Sequence, residues 1–126
     1  MILLGIDFGL AKIGLAISEG ELANTLPILH VKDKEESKRK LLSLITTLGV
    51  KLIIFGVPNP DSIGAAAFAK ELEVTSGVKM VLVDETMTTN IAKQKSTKKK
   101  SAEDSIVAAI LLQEYLDRPE GEKIAL

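Results

Sequence analysis

Residues Met1–Ser18, MILLGIDFGLAKIGLAIS, decide how this chain is read. Ile2–Ile6 is almost wholly apolar, Asp7 and Phe8-Gly9 follow, and a second apolar run spans Ile13–Ile17. The pattern predicts a hairpin: a buried strand, a connection of about three to five residues containing glycine, and a second strand. Asp7 is the anomaly. A carboxylate at the end of so apolar a strand is costly to bury unpaired, so its surroundings must supply a hydrogen-bond partner, a cation or water. Gly9 and Gly14 leave room beside it.

The rest of the chain sets bounds on what that carboxylate can do. At 126 residues, 46% apolar and 26% charged, the chain fits one globular, soluble domain. It has no cysteine, which excludes disulfides and thiolate metal sites and fits a reducing compartment. Its one histidine, His30, leaves little for histidine catalysis or zinc binding and reads as an ordinary half-exposed residue. The N-terminus lacks a basic region ahead of its apolar run, so it does not read as a signal peptide. No apolar stretch reaches the ~18–20 residues of a membrane span. A cytoplasmic protein without a membrane partner is the expectation by elimination. The net charge of −1 excludes a generally basic protein, but Lys93, Lys95, Lys98, Lys99 and Lys100 crowd together. A nucleic-acid partner would depend on that local patch.

Beyond the hairpin, Thr25–Val31 reads as a third strand, at or near a sheet edge because Pro27 cannot donate to a ladder. Lys34–Leu48 has apolar residues at helical spacing, Asp33 as N-cap and Gly49 as stop. Val50–Val57 is apolar without alternation, which suits a strand covered on both faces. A second helix is expected over about Ile63–Thr75, capped by Asp61 or Ser62, and a strand over Lys79–Val83. Thr86–Lys95 could hold a short helix, Ser96–Lys100 a basic loop, and Ser101–Leu116 a last helix. The order β-β-β-α-β-α-β followed by helix is a mixed α/β pattern. One domain would cover residues 1–117, with 118–126 a loose tail.

Three carboxylates fall at element ends: Asp7 after the first strand, Glu85 after the last, and Asp104 in the first turn of the last helix. In open α/β sheets ligands gather outside the carboxyl ends of the parallel strands. If the first strand is parallel to the two later ones, Asp7 and Glu85 share an edge, and the last helix could bring Asp104 to it. Three acids held together repel one another unless cations neutralise them, and hard oxygen donors suit Mg²⁺ or Mn²⁺. Each acid alone has an ordinary explanation: a strand-end turn, a solvated strand exit, or the helix-cap pattern Ser101-x-x-Asp. The functional reading rests on the coincidence of the three. Asp84 should alternate to the opposite side of its strand. The lysine run could be a solvated surface, or it could hold a phosphate backbone beside the acids. Phe8, Phe55, Phe68 and Tyr115 are the only aromatic residues and mostly read as core, which favours backbone over base recognition.

These residues together resemble the RuvX/YqgF family of resolvase-like proteins, also described as pre-16S rRNA nucleases. The resemblance is carried by LLGIDFG with Lys12-Ile13-Gly14, IIFGVP at Ile53–Pro58, LVDET at Leu82–Thr86 and DSIVAAILLQEYL at Asp104–Leu116. It implies a ribonuclease-H-like mixed five-stranded sheet flanked by helices, with three antiparallel strands first and two parallel strands in βαβ units after them. It also implies a metal-dependent phosphodiesterase site formed by Asp7, Glu85 and Asp104. Leu10-Ala11 stands where the family carries polar and basic residues, and the loops after Pro58 and after Glu85 are shorter than the family pattern. Those changes bear on substrate choice.

The resulting expectation is two-metal hydrolysis of nucleic-acid phosphodiesters, with Mg²⁺ or Mn²⁺ held by the three acids. Lys12, Lys93, Lys95, Lys98, Lys99 and Lys100 would contact the nucleic acid. Processing of the 5′ end of pre-16S ribosomal RNA leads the readings. Resolution of branched DNA and non-catalytic nucleic-acid binding are the alternatives, and an actin-like nucleotide-binding lobe ranks last because the chain lacks a second lobe. A monomer or a homodimer fits equally; junction resolution would favour the dimer.

Overall fold

The computed structural model describes residues 1–58, 60–84 and 100–118, with the side chains of 100–104 outside that description. Five strands form one sheet: β1 (Ile2–Asp7), β2 (Lys12–Ser18), β3 (Ala23–His30), β4 (Val50–Val57) and β5 (Lys79–Asp84). Their spatial order is β3-β2-β1-β4-β5. The first three form an antiparallel meander, while β4 and β5 run parallel to β1. Among the described residues, three helices cover the sheet: α1 (Lys34–Leu48), α2 (Ala65–Ser76) and α3 (Lys100–Asp117). This is the predicted mixed sheet.

Strand alternation divides the core into two layers. Leu4, Ile6, Ile13, Leu15, Ile53 and Phe55 face α1 and α2, where they meet Leu41, Ile45, Phe68 and Leu72. Leu3, Ala16, Leu52, Ile54 and Val81 face α3, where they meet Val107, Ala108, Leu111 and Leu112. The unalternating run of β4 is therefore apolar on both faces because both are covered.

The element ends differ from expectation in a few places, each with a local cause. The α1 bounds are as predicted: Asp33 accepts from the Glu36 N–H at 2.7 Å, and Gly49 closes the helix in the left-handed region. Helix α2 starts at Ala65 rather than near Ile63, because Ser62 and Ile63 form a turn and Gly64 sits at φ 73°. Asp61 still serves the helix start, accepting from Ala65 N–H at 2.8 Å and Ala66 N–H at 3.0 Å. Strand β3 begins at Ala23, two residues early, and ends at His30, leaving Val31 outside it. It is an edge strand, and the β2–β3 register shifts between Ile13 and Leu15, opposite Pro27. A bulge there accommodates a residue that cannot donate. Helix α3 takes in Lys100, which the sequence pattern places in a basic loop, and Ser101 lies inside the helix rather than ahead of it. The suggested helix over Thr86–Lys95 lies outside the described residues, as does the expected loose tail of 118–126 beyond Arg118.

Candidate active site

Asp7 ends β1 and is half-buried. Because Ile6 faces the α1–α2 layer, alternation turns Asp7 to the α3 face, on the same side as Leu3 and Gly5. Its register partners are Gly14 on β2 and Gly56 on β4. The carboxylate therefore has a residue without a side chain on each flank. Gly14 was anticipated in this role and Gly56 was not. Gly9 has a different reason to be glycine: a Cβ there would stand 2.5 Å from the Lys12 carbonyl oxygen, so the hairpin loop closes only without one. Behind Asp7, Phe8 stacks on Phe68 with ring centroids 4.3 Å apart and lies 5.8 Å from Phe55. This aromatic cluster fixes the chain immediately after the carboxylate.

The parallel strands β1, β4 and β5 finish at one edge of the sheet. Gly56 is level with Asp7, and Val83 is level with Gly56. Val83 packs toward the α3 layer, whereas Met80 packs toward α1 and α2. Alternation thus gives Asp84 to the α2 side, where it lines a depression of about 300 Å³ with Val57, Pro58, Asp61 and Ala66. Asp84 stands on the opposite face from Asp7, as expected. The Asp61 carboxyl is held below its ordinary pKa by the Ala66 and Ala65 N–H groups.

Helix α3 brings its start toward the same edge. The Gln113 side chain accepts from Ala23 N–H at 2.8 Å and donates to the Glu21 carbonyl at 3.0 Å. One helical stretch earlier, the Ser105 hydroxyl donates to the Leu26 carbonyl at 2.8 Å. Ala23 is level with Ser18 and so with Leu3, while Leu26 is level with Leu15 and so with Ile6. Running back from residue 113 to 105, the helix therefore moves from the start of β1 toward the Asp7 end. Between these anchors it crosses directly over Gly5, where a Cβ would stand 2.7 Å from the Ala108 carbonyl oxygen and 3.1 Å from Leu112 Cβ. Asp104 is the backbone neighbour of Ser105 in this helix.

Of the residues expected at the site, Asp7 and Lys12 are fully described. Lys12 opens β2, is exposed, and shares the α3 face with Gly14. Asp104 and Lys100 are described by backbone alone, as members of α3. Glu85, Lys93, Lys95, Lys98 and Lys99 lie outside the described residues. Among the described residues no three acidic or histidine side chains gather into a metal-holding group. Among them, too, no helix is long and apolar enough to cross a membrane. The sequence reading missed Gly5 and Gly56. A glycine inside an otherwise bulky apolar strand was the available signal, since it marks close approach by another backbone.

Comparison with known proteins agrees with this architecture. A protein of Coxiella burnetii (strain RSA 331 / Henzerling II) carrying the name "Putative pre-16S rRNA nuclease" is 31% identical over 136 residues, covering 97% of this chain and 96% of that one. A protein of the same name from Endomicrobium trichonymphae is 31% identical over 132 residues, covering 91% and 94%. Among solved structures, T. thermophilus RuvC in complex with Holliday junction substrate superposes with TM-score 0.61 at 12% identity, covering 88% of this chain and 91% of that one. The Fowlpox virus resolvase complexed with Holliday junction DNA gives TM-score 0.61 at 15% identity, covering 94% and 100%. At such identities these two share the fold alone. Residues 1–118 match the RuvX family, described as Holliday junction resolvase, and the chain belongs to that family.

Proposed function

We propose that this chain is a metal-dependent nuclease that hydrolyses nucleic-acid phosphodiesters, with the 5′ end of pre-16S ribosomal RNA as its substrate. Asp7, Glu85 and Asp104 are the residues that would hold Mg²⁺ or Mn²⁺. The observation that carries the reading is the placement of Asp7: a half-buried carboxylate at the carboxyl edge of the parallel strands, flanked by Gly14 and Gly56, with α3 running toward it. The donor chemistry fits a hard divalent cation, which takes oxygen ligands and keeps several waters for substrate phosphates. Neither register neighbour, Gly14 nor Gly56, places a side chain beside the carboxylate. Glu85 directly follows Asp84, the last residue of β5, and its place in the site is the one the family resemblance implies. The relatives' names support a ribosomal RNA precursor as the substrate class.

When bound, the metal supplies charge neutralisation at the scissile phosphate and a more acidic bound water. The protein's own part is positional. The apolar strands on both sides of Asp7 hold its carboxylate at one place on the edge, and the Phe8 cluster keeps the hairpin from shifting. Lysines supply positive charge for the sugar–phosphate backbone without contacting base edges.

The test is cleavage of a pre-16S RNA fragment in Mg²⁺ by the parent chain and by Asp7→Asn. The expected outcome is loss of cleavage by Asp7→Asn with an unchanged circular dichroism spectrum. Undiminished cleavage by that variant overturns the reading. A branched DNA substrate run in parallel distinguishes resolvase activity, which the family's description and the RuvC-like fold favour as the second reading.

A further inference from the structure

Besides Lys12, which the sequence assigns to nucleic-acid contact, the described surface carries cations that the site does not use. Lys12 and His30 are exposed cross-strand partners at the open end of β2 and β3. The Val31 N–H donates to the Ala11 carbonyl at 3.0 Å, which ties the end of β3 to the hairpin loop and places Lys32 beside it. Lys32 and Lys34 then line the groove of about 940 Å³ between α1 and α2. The Lys34 ammonium lies 3.1 Å from where a Gly64 Cβ would stand, at the mouth of α2.

Of the acids lining this groove, Asp33, Glu36 and Glu71 are engaged, while Glu35 is exposed in the first turn of α1. Asp33 caps α1, accepting from Glu36 N–H at 2.7 Å. Glu36 accepts from Lys32 N–H at 3.0 Å and lies within 3.8 Å of the Lys40 and Arg39 cations. Glu71 is bound by Lys38 at 2.8 Å, and the Lys38 and Lys34 charges hold its carboxyl below its ordinary pKa. Among the described residues, the side chains of Lys12, Lys32 and Lys34 form no ion pair.

We infer that Lys12, Lys32 and Lys34 form a phosphate-backbone track, which leads nucleic acid from the Asp7 edge, past His30, into the α1–α2 groove. The track crosses the carboxyl edge of the sheet from the α3 face, where Lys12 stands with Asp7, to the α1–α2 face. It rests on the nuclease reading for its ligand, and it adds Lys32 and Lys34 to the lysines that the sequence assigns to nucleic-acid contact. Its partner is the sugar–phosphate backbone of a single strand or an end, since the aromatic side chain lining the groove, Phe68, is buried and stacked on Phe8 rather than open to bases.

The experiment measures binding of a fluorescein-labelled 20-nucleotide single-stranded RNA by the full chain, without divalent metal, from low to moderate salt. The variants are K12Q/K32Q/K34Q and, as a charge-matched control, K51Q/K70Q/K79Q, whose lysines are exposed away from the track. Each lost phosphate contact lowers the salt slope by about 0.7, so three lower it by roughly 2. At 50 mM salt the track variant is expected to bind at least tenfold more weakly, and the control to match the parent. If the parent binds and cleaves RNA while the track variant keeps the parent's slope, the track is overturned and the nuclease reading stands. If the parent neither binds nor cleaves, both are overturned.

Discussion

Gly5 shows how one residue can set the position of a helix. It sits in β1 between Leu4 and Ile6, both fully buried, and α3 lies against it so closely that a methyl group would press on the Ala108 carbonyl at 2.7 Å. A backbone oxygen cannot rotate away as a side chain can, so Gly5→Ala must push α3 off the sheet. The expected cost is about 1–3 kcal/mol, the usual range for overpacking a filled core. Urea denaturation checks it, and an unchanged midpoint would show that α3 does not rest on Gly5. Asp7 was legible from sequence because a charge stands out in an apolar strand. The glycines that make its setting, Gly5 and Gly56, were not, because a missing side chain gives no sign of what comes near it. Only register shows that Gly56 is Asp7's neighbour and Gly5 is Ala108's.

Among the elements, those with strong local signals were legible to the residue. Helix α1 has a capping aspartate, five apolar residues at helical spacing and a stop glycine, and its bounds match the sequence reading. Strand β4 was equally clear because it is apolar on both faces. Helix α2 was less so. Asp61 was a correct candidate for its start, but its carboxylate reaches forward over a turn to Ala65 and Ala66 rather than capping the next residue. That arrangement makes a pH prediction. The two N–H groups favour the ionised carboxylate, so the folded-state pKa lies below the ordinary 3.8. Stabilisation from Asp61 is then fully present above about pH 4 and is lost as pH falls through the lowered value. Asp61→Ala should melt below the parent at pH 7, with the difference closing under strongly acidic conditions. A difference that is constant with pH would mean that the charge on Asp61 does nothing for α2.

At the scale of the molecule, one topological fact organises the rest. A meander followed by two parallel strands sends the ends of β1, β4 and β5 to a single edge, and α3 runs back over the sheet toward it. The sequence carried this in outline, since three short strands preceding βαβ units leave few other arrangements. It could not carry the direction of α3, which is set by contacts from Gln113 to Ala23 and from Ser105 to Leu26, each about eighty to ninety residues apart along the chain. The meeting of Asp7, Glu85 and Asp104 is a proposal argued from their positions at element ends, since Glu85 and the Asp104 side chain lie outside the described residues. The direct test of that meeting is anomalous scattering from crystals of the full chain grown with Mn²⁺. The account predicts a peak within bonding distance of carboxylate oxygens from Asp7, Glu85 and Asp104 together. A peak that leaves out Asp7, or a lysine amine occupying the position between the acids, would contradict it.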